Sequence, residues 1–375
     1  MSQSKIRVAL LFGGRSGEHA ISAATAAGVL KAIDRDKYDV VPVGITRAGQ
    51  WVVASDDPAL WELRADRLPE VTAASGSSVV LSSSSQGPQL QVLEAGSVPT
   101  VLSQVDVVFP VLHGPFGEDG TVQGLLELAE VRYVGSGVLA SAVGMDKHYM
   151  KLLFAAHGLP VGPYVVVSPR DWSRRREDVL SRVKELRLPV FVKPARAGSS
   201  LGVTRVDDLA DLADLERAVE DAQVHDPKVL IEQGIEGREI ECAVLGGRGG
   251  DAPRASVPGE IVVDHTARDF YDFEAKYIDD GPVRLDAPAD LAPAVSERVR
   301  DLAVAAFEAI GAEGIARVDV FVTPQDDVVI NEINTMPGFT PISMYPRMWE
   351  ASGLAYPDLI DELIQLALER PTGLR

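Results

Sequence analysis

ARVDVFVTPQDDVVINEINTMPGFT, residues 316–340, reads as two apolar strands joined by a polar turn and followed by a loop. Side chains alternate between the faces of a strand, so Arg317 shares a face with Asp319, and Glu332 shares one with Asn334. Strands over 314–322 and 328–333, separated by Thr323-Pro324-Gln325-Asp326-Asp327, would pair antiparallel and bring two carboxylates and an amide together. An all-oxygen set with few protein ligands suits Mg²⁺, which keeps waters and takes phosphate oxygens from a substrate. The alternative is an ordinary polar hairpin face turned to solvent. Against it, the following loop, Thr335-Met336-Pro337-Gly338-Phe339-Thr340, has an apolar character that gives it no reason to be exposed. The 6 histidines lack paired spacing, which disfavours a zinc site.

Outward from this hairpin, apolar residues at helical spacing predict a helix over 295–310, and another closes the chain at about 357–369. Residues 264–280 mix Phe270, Tyr271, Phe273 and Tyr277 with Arg268, Asp269, Asp272, Glu274 and Lys276, without a clear period. Such segments serve as lids or as plain amphipathic surface turns. Between 164 and 245, hairpin-like strands at 165–167, 190–192, 203–206, 229–232 and 239–245 are interrupted by helices at about 172–187 and 208–223, an α+β module. Within it, a strand ends in Lys193 and runs into Pro194-Ala195-Arg196-Ala197-Gly198-Ser199-Ser200-Leu201-Gly202. Backbone N–H groups of such a loop cradle phosphates, and a lysine on a buried strand needs an anionic partner.

The first third alternates strands (6–12, 38–45, 105–112) with helices (17–33, 120–130), which argues a parallel sheet with crossover helices. A further helix is predicted over 145–157. Two turns leave strand ends where α/β ligands bind: Gly13-Gly14-Arg15-Ser16-Gly17-Glu18-His19 and His113-Gly114-Pro115-Phe116-Gly117-Glu118-Asp119-Gly120. Glu18 could hold an ammonium group; equally, Ser16 could be a plain N-cap with Glu18 in the first helical turn. The stretch 56–99, with its serine run at 82–85, reads as a hairpin-rich insertion or mobile surface segment without catalytic content.

A net charge of −19 excludes a polyanionic partner, so neither nucleic acid nor a membrane surface is expected. The single cysteine, Cys242, allows no disulfide within the chain and reads as a small core residue. The apolar run at 6–12 is too short for a signal-peptide core, and no stretch approaches the ~18 apolar residues of a membrane span, so a soluble, cytoplasmic protein is expected.

The order of these motifs resembles the D-alanine–D-alanine ligases, a branch of the ATP-grasp superfamily. The matching stretches are 13–19, 113–120, 145–147 (Met-Asp-Lys), 192–200, 271–277, 317–319 and 332–340, across nearly the whole chain except the serine-rich region. The resemblance implies an α/β and α+β, ATP-grasp architecture: an N-terminal substrate-binding domain (1–140), a central subdomain (141–245) and a C-terminal subdomain with metal site and lid (246–375). It implies ATP-dependent joining of two D-alanines through a D-alanyl phosphate, for peptidoglycan precursors. Carried over by position, Lys147 and Lys193 contact ATP phosphates and Lys276 reaches the transferred one. Ser199, Ser200 and Asn331 also fall on the nucleotide side. Glu232, Gln233 and Ile235 form the adenine edge, and Glu239 holds the ribose. Asp319, Glu332 and Asn334 bind two Mg²⁺, with Mn²⁺ as a substitute. Glu18 holds the first D-alanine's ammonium; Arg317 and the Gly338 N–H stabilise the oxyanion; Ser343 and the Met344 N–H grip the second carboxylate. Tyr277, Ser199 and Glu18 form a hydrogen-bonded lock, and a homodimer is implied. Two rivals stand beside this reading. A D-alanine–D-lactate ligase is disfavoured by Glu274-Ala275-Lys276-Tyr277, which resembles the dipeptide-forming branch. A non-catalytic nucleotide-binding protein would have lost residues among Arg317, Asp319, Glu332 and Asn334, and none is lost.

Overall fold

The computed structural model describes residues 5–64, 67–84, 87–93, 100–263 and 283–372. The expected lid over 264–281, with Lys276 and Tyr277, lies outside them.

The first module contains β1 (Ile6–Gly13), α1 (His19–Ala32), β2 (Tyr38–Ile45), β3 (Trp51–Val53), β4 (Val79–Ser84), β5 (Gly87–Val92), β6 (Thr100–Gln104), β7 (Val107–Pro110), α2 (Thr121–Leu128) and β8 (Arg132–Tyr133). Its main sheet has the order β3-β2-β1-β7-β8, parallel except for the antiparallel edge strand β3. Helix α1 is buried from His19 to Leu30 because its alanines leave no polar face. The expected insertion is an antiparallel meander, β4-β5-β6, that docks on the main sheet through Val79 and Leu90.

The central module follows with α3 (Val138–Met145), α4 (Lys147–Ala156), β9 (Tyr164–Val167), α5 (Pro169–Arg174), α6 (Arg176–Val183), β10 (Val190–Pro194), β11 (Thr204–Val206), α7 (Ala213–His225) and β12 (Val229–Gln233). The helix expected over 145–157 is α4, preceded by the unexpected α3; the two break at Asp146, whose carboxylate accepts the His148 and Tyr149 N–H groups and starts α4 afresh. The helix expected at 172–187 likewise breaks at Arg175 into α5 and α6. The sheet has the antiparallel order β11-β10-β12-β9. Val190, Val192, Val229 and Ile231 on one of its faces pack against α6 and α7, and Phe191, Lys193, Leu230 and Glu232 occupy the other.

The last module comprises β13 (Arg238–Leu245), β14 (Arg254–Ala255), β15 (Gly259–Val263), β16 (Val283–Asp286), α8 (Pro293–Ala309), β17 (Ile315–Val322), β18 (Val328–Asn334), α9 (Met344–Ala351) and α10 (Tyr356–Glu369). Its sheet runs β16-β15-β13-β17-β18, with β14 pairing β13. The boundary expected at 245/246 therefore falls at the end of β13, a strand of the C-terminal sheet. Cys242 lies buried on that strand, and burial pushes its thiol up to about 12, an inert core residue.

Helices α9 and α10 do not close the last module's own core. Phe339, Tyr345, Met348, Leu359 and Leu363 join Leu10, Phe12, Ala26 and Val29 of β1 and α1 in one cluster. Arg370 fastens the end: its guanidinium donates to the Gly135 carbonyl at 2.7 Å, pairs with Glu313 at 2.5 Å and lies 4.2 Å from the Tyr133 ring centroid.

Candidate active site

The hairpin β17–β18 sets Asp319 opposite Glu332 and Arg317 opposite Asn334, so all four side chains share one face. Arg317 grips Asp319 with two hydrogen bonds, Nε to Oδ1 at 2.7 Å and Nη2 to Oδ2 at 2.6 Å. The Asn334 amide donates to Asp319 Oδ2 at 3.0 Å. The ladder slips between Asp319 and Val320: Val320 pairs with Ile330 and Asp319 with Glu332, leaving Asn331 as the bulged residue. Bulges re-aim side chains and favour the surroundings of active sites. Strand β13 adds a residue that sequence reasoning missed. Glu241 stands opposite Asp319, buried, 3.2 Å from Arg317. Only the cross-strand register reveals it, since locally it looks like part of the charged start of β13, with Arg238 and Glu239 just before it.

The oxygen-donor set fits a hard divalent cation: Asp319, Glu332 and Asn334 share a face, and each carboxylate is balanced by a long, movable cationic side chain. Among the described residues no group of three or more His, Cys, Asp or Glu is disposed to hold a metal by itself. Most ligands would thus come from water or a bound substrate.

Facing this hairpin, α4 contributes Lys147, whose ammonium lies 3.2 Å from Glu332 and donates to the Ala197 carbonyl at 2.9 Å. Lys193 on β10 pairs with Glu232 on β12 at 2.5 Å, and Lys151, one turn after Lys147, approaches the other Glu232 oxygen at 3.3 Å. Burial opposes charge on Lys193, yet Glu232 outweighs it and holds the ammonium above its ordinary range. Burial prevails at Lys151, which lies below its ordinary range although Glu232 opposes the shift. Burial also works against the Glu232 carboxylate, but Lys151 and Lys193 keep it below the usual range. The residues of the expected adenine edge have separate partners. The Glu232 carboxylate turns inward to lysines, the Gln233 Oε1 accepts the Arg187 N–H at 3.0 Å, and Ile235 packs beside Gly162. Glu239 is exposed at the start of β13 and adds to the field on Lys193.

The loop after Lys193 is built rather than floppy. Buried Asp226 takes the Arg196 guanidinium through two hydrogen bonds of 2.8 Å and the Arg196 N–H at 2.9 Å. Ser199 and Ser200 are both left-handed, with φ of 50° and 57°, a conformation that side chains adopt at a cost and that concentrates at functional sites. The Ser199 hydroxyl donates to Glu18 at 2.5 Å, joining the central module to the first. Gly114 has φ +73°, and a Cβ there would sit 2.6 Å from the Glu18 carboxylate, so glycine is required for Glu18 to reach this point.

Beneath Glu18, the Glu118 carboxylate accepts the Gly114 N–H at 2.6 Å and the Met336 N–H at 3.1 Å, tying two loops together. Burial, reinforced by the Glu18 charge, raises its pKa to about 8. His113 is buried and neutral in character: Nδ1–H donates to the Met336 carbonyl at 3.0 Å, and Nε2 faces the Thr25 hydroxyl at 3.2 Å. Burial pulls its pKa down. These contacts anchor the segment leading to Gly338. Ser343 is engaged locally, where its hydroxyl accepts the Thr340 N–H at 3.1 Å at the start of α9. Glu118, Lys147, Ala197, Gly198, Glu332 and Asn334 line a common cavity, which brings Lys147 of the expected phosphate residues to Glu332 and Asn334 of the expected metal residues.

With this geometry in hand, the comparisons are specific. Residues 7–136 match the family described as D-ala D-ala ligase N-terminus, and residues 153–365 match D-ala D-ala ligase C-terminus. The chain is 61% identical over 369 residues to a D-alanine–D-alanine ligase of Paenarthrobacter aurescens, covering 98% of this chain and 97% of that one. It is 59% identical over 380 residues to the ligase of Kineococcus radiotolerans, covering 100% of both. Among solved structures, the D-alanine–D-alanine ligase of Coxiella burnetii superposes with a TM-score of 0.81 at 36% identity, covering 98% of this chain and 95% of that one. The VanG D-Ala:D-Ser ligase of Enterococcus faecalis gives 0.80 at 33% identity, covering 97% and 100%.

Proposed function

The chain belongs to the D-alanine–D-alanine ligase family, and on that premise we propose that it joins two D-alanines into a dipeptide at the expense of ATP, supplying peptidoglycan precursors. The observation that carries this reading is the 2.5 Å bond between Glu18 and Ser199. It sets an ammonium-binding carboxylate against a phosphate-cradling loop, so an amino acid held by one is presented to a nucleotide held by the other.

A free carboxylate is a poor acyl donor, and ATP activates it as D-alanyl phosphate. Lys147 and Lys193 bind the phosphates, with the Ser199–Ser200 backbone as cradle and Asn331 at the bulge beside them. Glu232, Gln233 and Ile235 border the adenine and Glu239 the ribose. Glu18 fixes the first ammonium. Asp319, Glu332 and Asn334 would hold two Mg²⁺, which when bound would neutralise charge on the phosphoryl oxygens. When the second amine attacks, the oxyanion develops where Arg317 and the Gly338 N–H are aimed. Ser343 and the Met344 N–H, at the positive end of α9, take the second carboxylate. Residues 1–140 thus serve the first amino acid, residues 141–245 the nucleotide, and residues 246–375 the metal, the oxyanion and the second carboxylate.

The proposal extends to a cytoplasmic homodimer. Among the described residues no helix is long and apolar enough to cross a membrane, and Leu125, Leu128, Val138 and Leu139 give α2 and α3 an exposed apolar face suited to a second copy. The test is phosphate release from ATP with D-alanine, L-alanine and D-lactate, alone and in pairs. D-alanine alone should support turnover with the dipeptide as product, and L-alanine should not. Equal turnover with L-alanine, or none with D-alanine, overturns the assignment.

A further inference from the structure

We propose that Lys151 is a positioning residue for the nucleotide: acting through Glu232, it sets the place and net charge of Lys193 without itself meeting the phosphates. The inference rests on the ATP reading above and adds a residue to it.

Lys151 is 2% exposed, on the face of α4 that carries Lys147 one turn earlier. Its ammonium approaches one Glu232 oxygen at 3.3 Å, while Lys193 takes the other at 2.5 Å. Tyr164 and Phe191 stand opposite Glu232 on the two neighbouring strands, and the Lys151 ammonium lies 5.9 Å from the Tyr164 ring centroid. The carboxylate is therefore boxed in by two lysines and two aromatic residues.

A buried ion pair is seldom kept for stability, since apolar residues of similar volume often do as well. Charge balance gives this one a purpose. With Lys193 alone, the pair would be neutral, and a phosphate drawing Lys193 away would leave a buried carboxylate uncompensated beside an incoming polyanion. With Lys151 present the trio carries one net positive charge, and Glu232 keeps a partner when Lys193 turns to the phosphate.

The test compares Lys151→Met, Lys151→Arg and Glu232→Gln with wild type in steady-state kinetics with ATP and D-alanine. Lys151→Met should raise KM for ATP about tenfold, the loss of one charged contact, while kcat and KM for D-alanine stay within about threefold. Lys151→Arg, which keeps the charge, should recover most of the loss. Because Lys151 acts through Glu232, the double variant Lys151→Met with Glu232→Gln should show an ATP KM within about twofold of Glu232→Gln alone. An unchanged ATP KM with only a lowered melting temperature reduces Lys151 to packing and overturns the proposal, as do effects that simply multiply in the double variant. Should Lys151→Met fail to fold, Lys151→Gln replaces it under the same criteria. Failure of the ATP reading itself looks different, because wild type would then show no ATP-dependent turnover.

Discussion

Two glutamates face helix α4, and each is met by a lysine from it. Glu232 on β12 meets Lys151 as well as Lys193, and its side chain is 10% exposed. Glu332 on β18 meets Lys147, and its side chain is 26% exposed. One carboxylate is boxed in on all sides; the other opens on a cavity shared with Asn334 and Gly198. The same pairing chemistry thus serves two ends. At Glu232 a second lysine, Lys151, keeps the carboxylate paired even when Lys193 turns to a phosphate, and so holds the fold of the nucleotide face. At Glu332 the Lys147 ammonium can swing away, so the more exposed carboxylate can trade it for another cation.

The sharpest way to break this comparison is to neutralise both kinds of site. Asp319→Asn and Glu332→Gln should each lower dipeptide formation about 10²–10³-fold, a typical loss for one transition-state contact, with melting temperatures near that of wild type. Glu232→Gln should instead cost about 3–5 kcal/mol in denaturant unfolding, because two buried lysines lose their counter-charge. A reversal, with Glu332→Gln unfolding the protein and Glu232→Gln sparing its stability, would show that exposure does not separate the two roles.

A smaller effect sharpens the substrate end. Ser199→Ala removes the hydroxyl that orients Glu18. A hydrogen bond to a charged group contributes about 1.5–3 kcal/mol, so KM for D-alanine should rise roughly tenfold or more, with KM for ATP less affected. Equal increases for both substrates would mean that Ser199 belongs chiefly to the phosphate cradle.

The smallest effect is in pH. Burial depresses the folded-state pKa of His113 below the ~6.5 of an unfolded chain. Its contribution to stability is therefore complete above that value and is lost as pH falls toward the folded pKa, with a slope of at most about 1.4 kcal/mol per pH unit for one proton. Melting curves between pH 7 and 5 should show His113→Asn with a shallower decline than wild type. Identical slopes would assign acid sensitivity to carboxylates alone.

Much of the site could be read before any coordinates. Alternation alone put Arg317 with Asp319 and Glu332 with Asn334, and the register sets them face to face. The same rule misleads at Asn331, where a bulge breaks the period that alternation assumes. Glu241 escaped because its relation to Asp319 is a matter of strand order, which no local pattern carries. Lys151 escaped because a lysine spaced one turn from another on a helix looks like a solvated face. The extra helix α9 was hidden by Pro346, a residue that breaks helices in their interior but is tolerated in the first turn. Met344, Met348 and Trp349 of α9 gain meaning only against the first module.

That shared core sets an order on how the chain can be made. Phe12, Val29 and Leu30 are synthesised long before the residues that complete their packing, Leu359, Ile360, Leu363 and Ile364. Domains commonly fold as units while the chain is still growing, first part first. Here the first module must wait, its apolar helix face uncovered, until α10 arrives and Arg370 clips onto Gly135. Until then the growing chain carries that apolar face without its native cover.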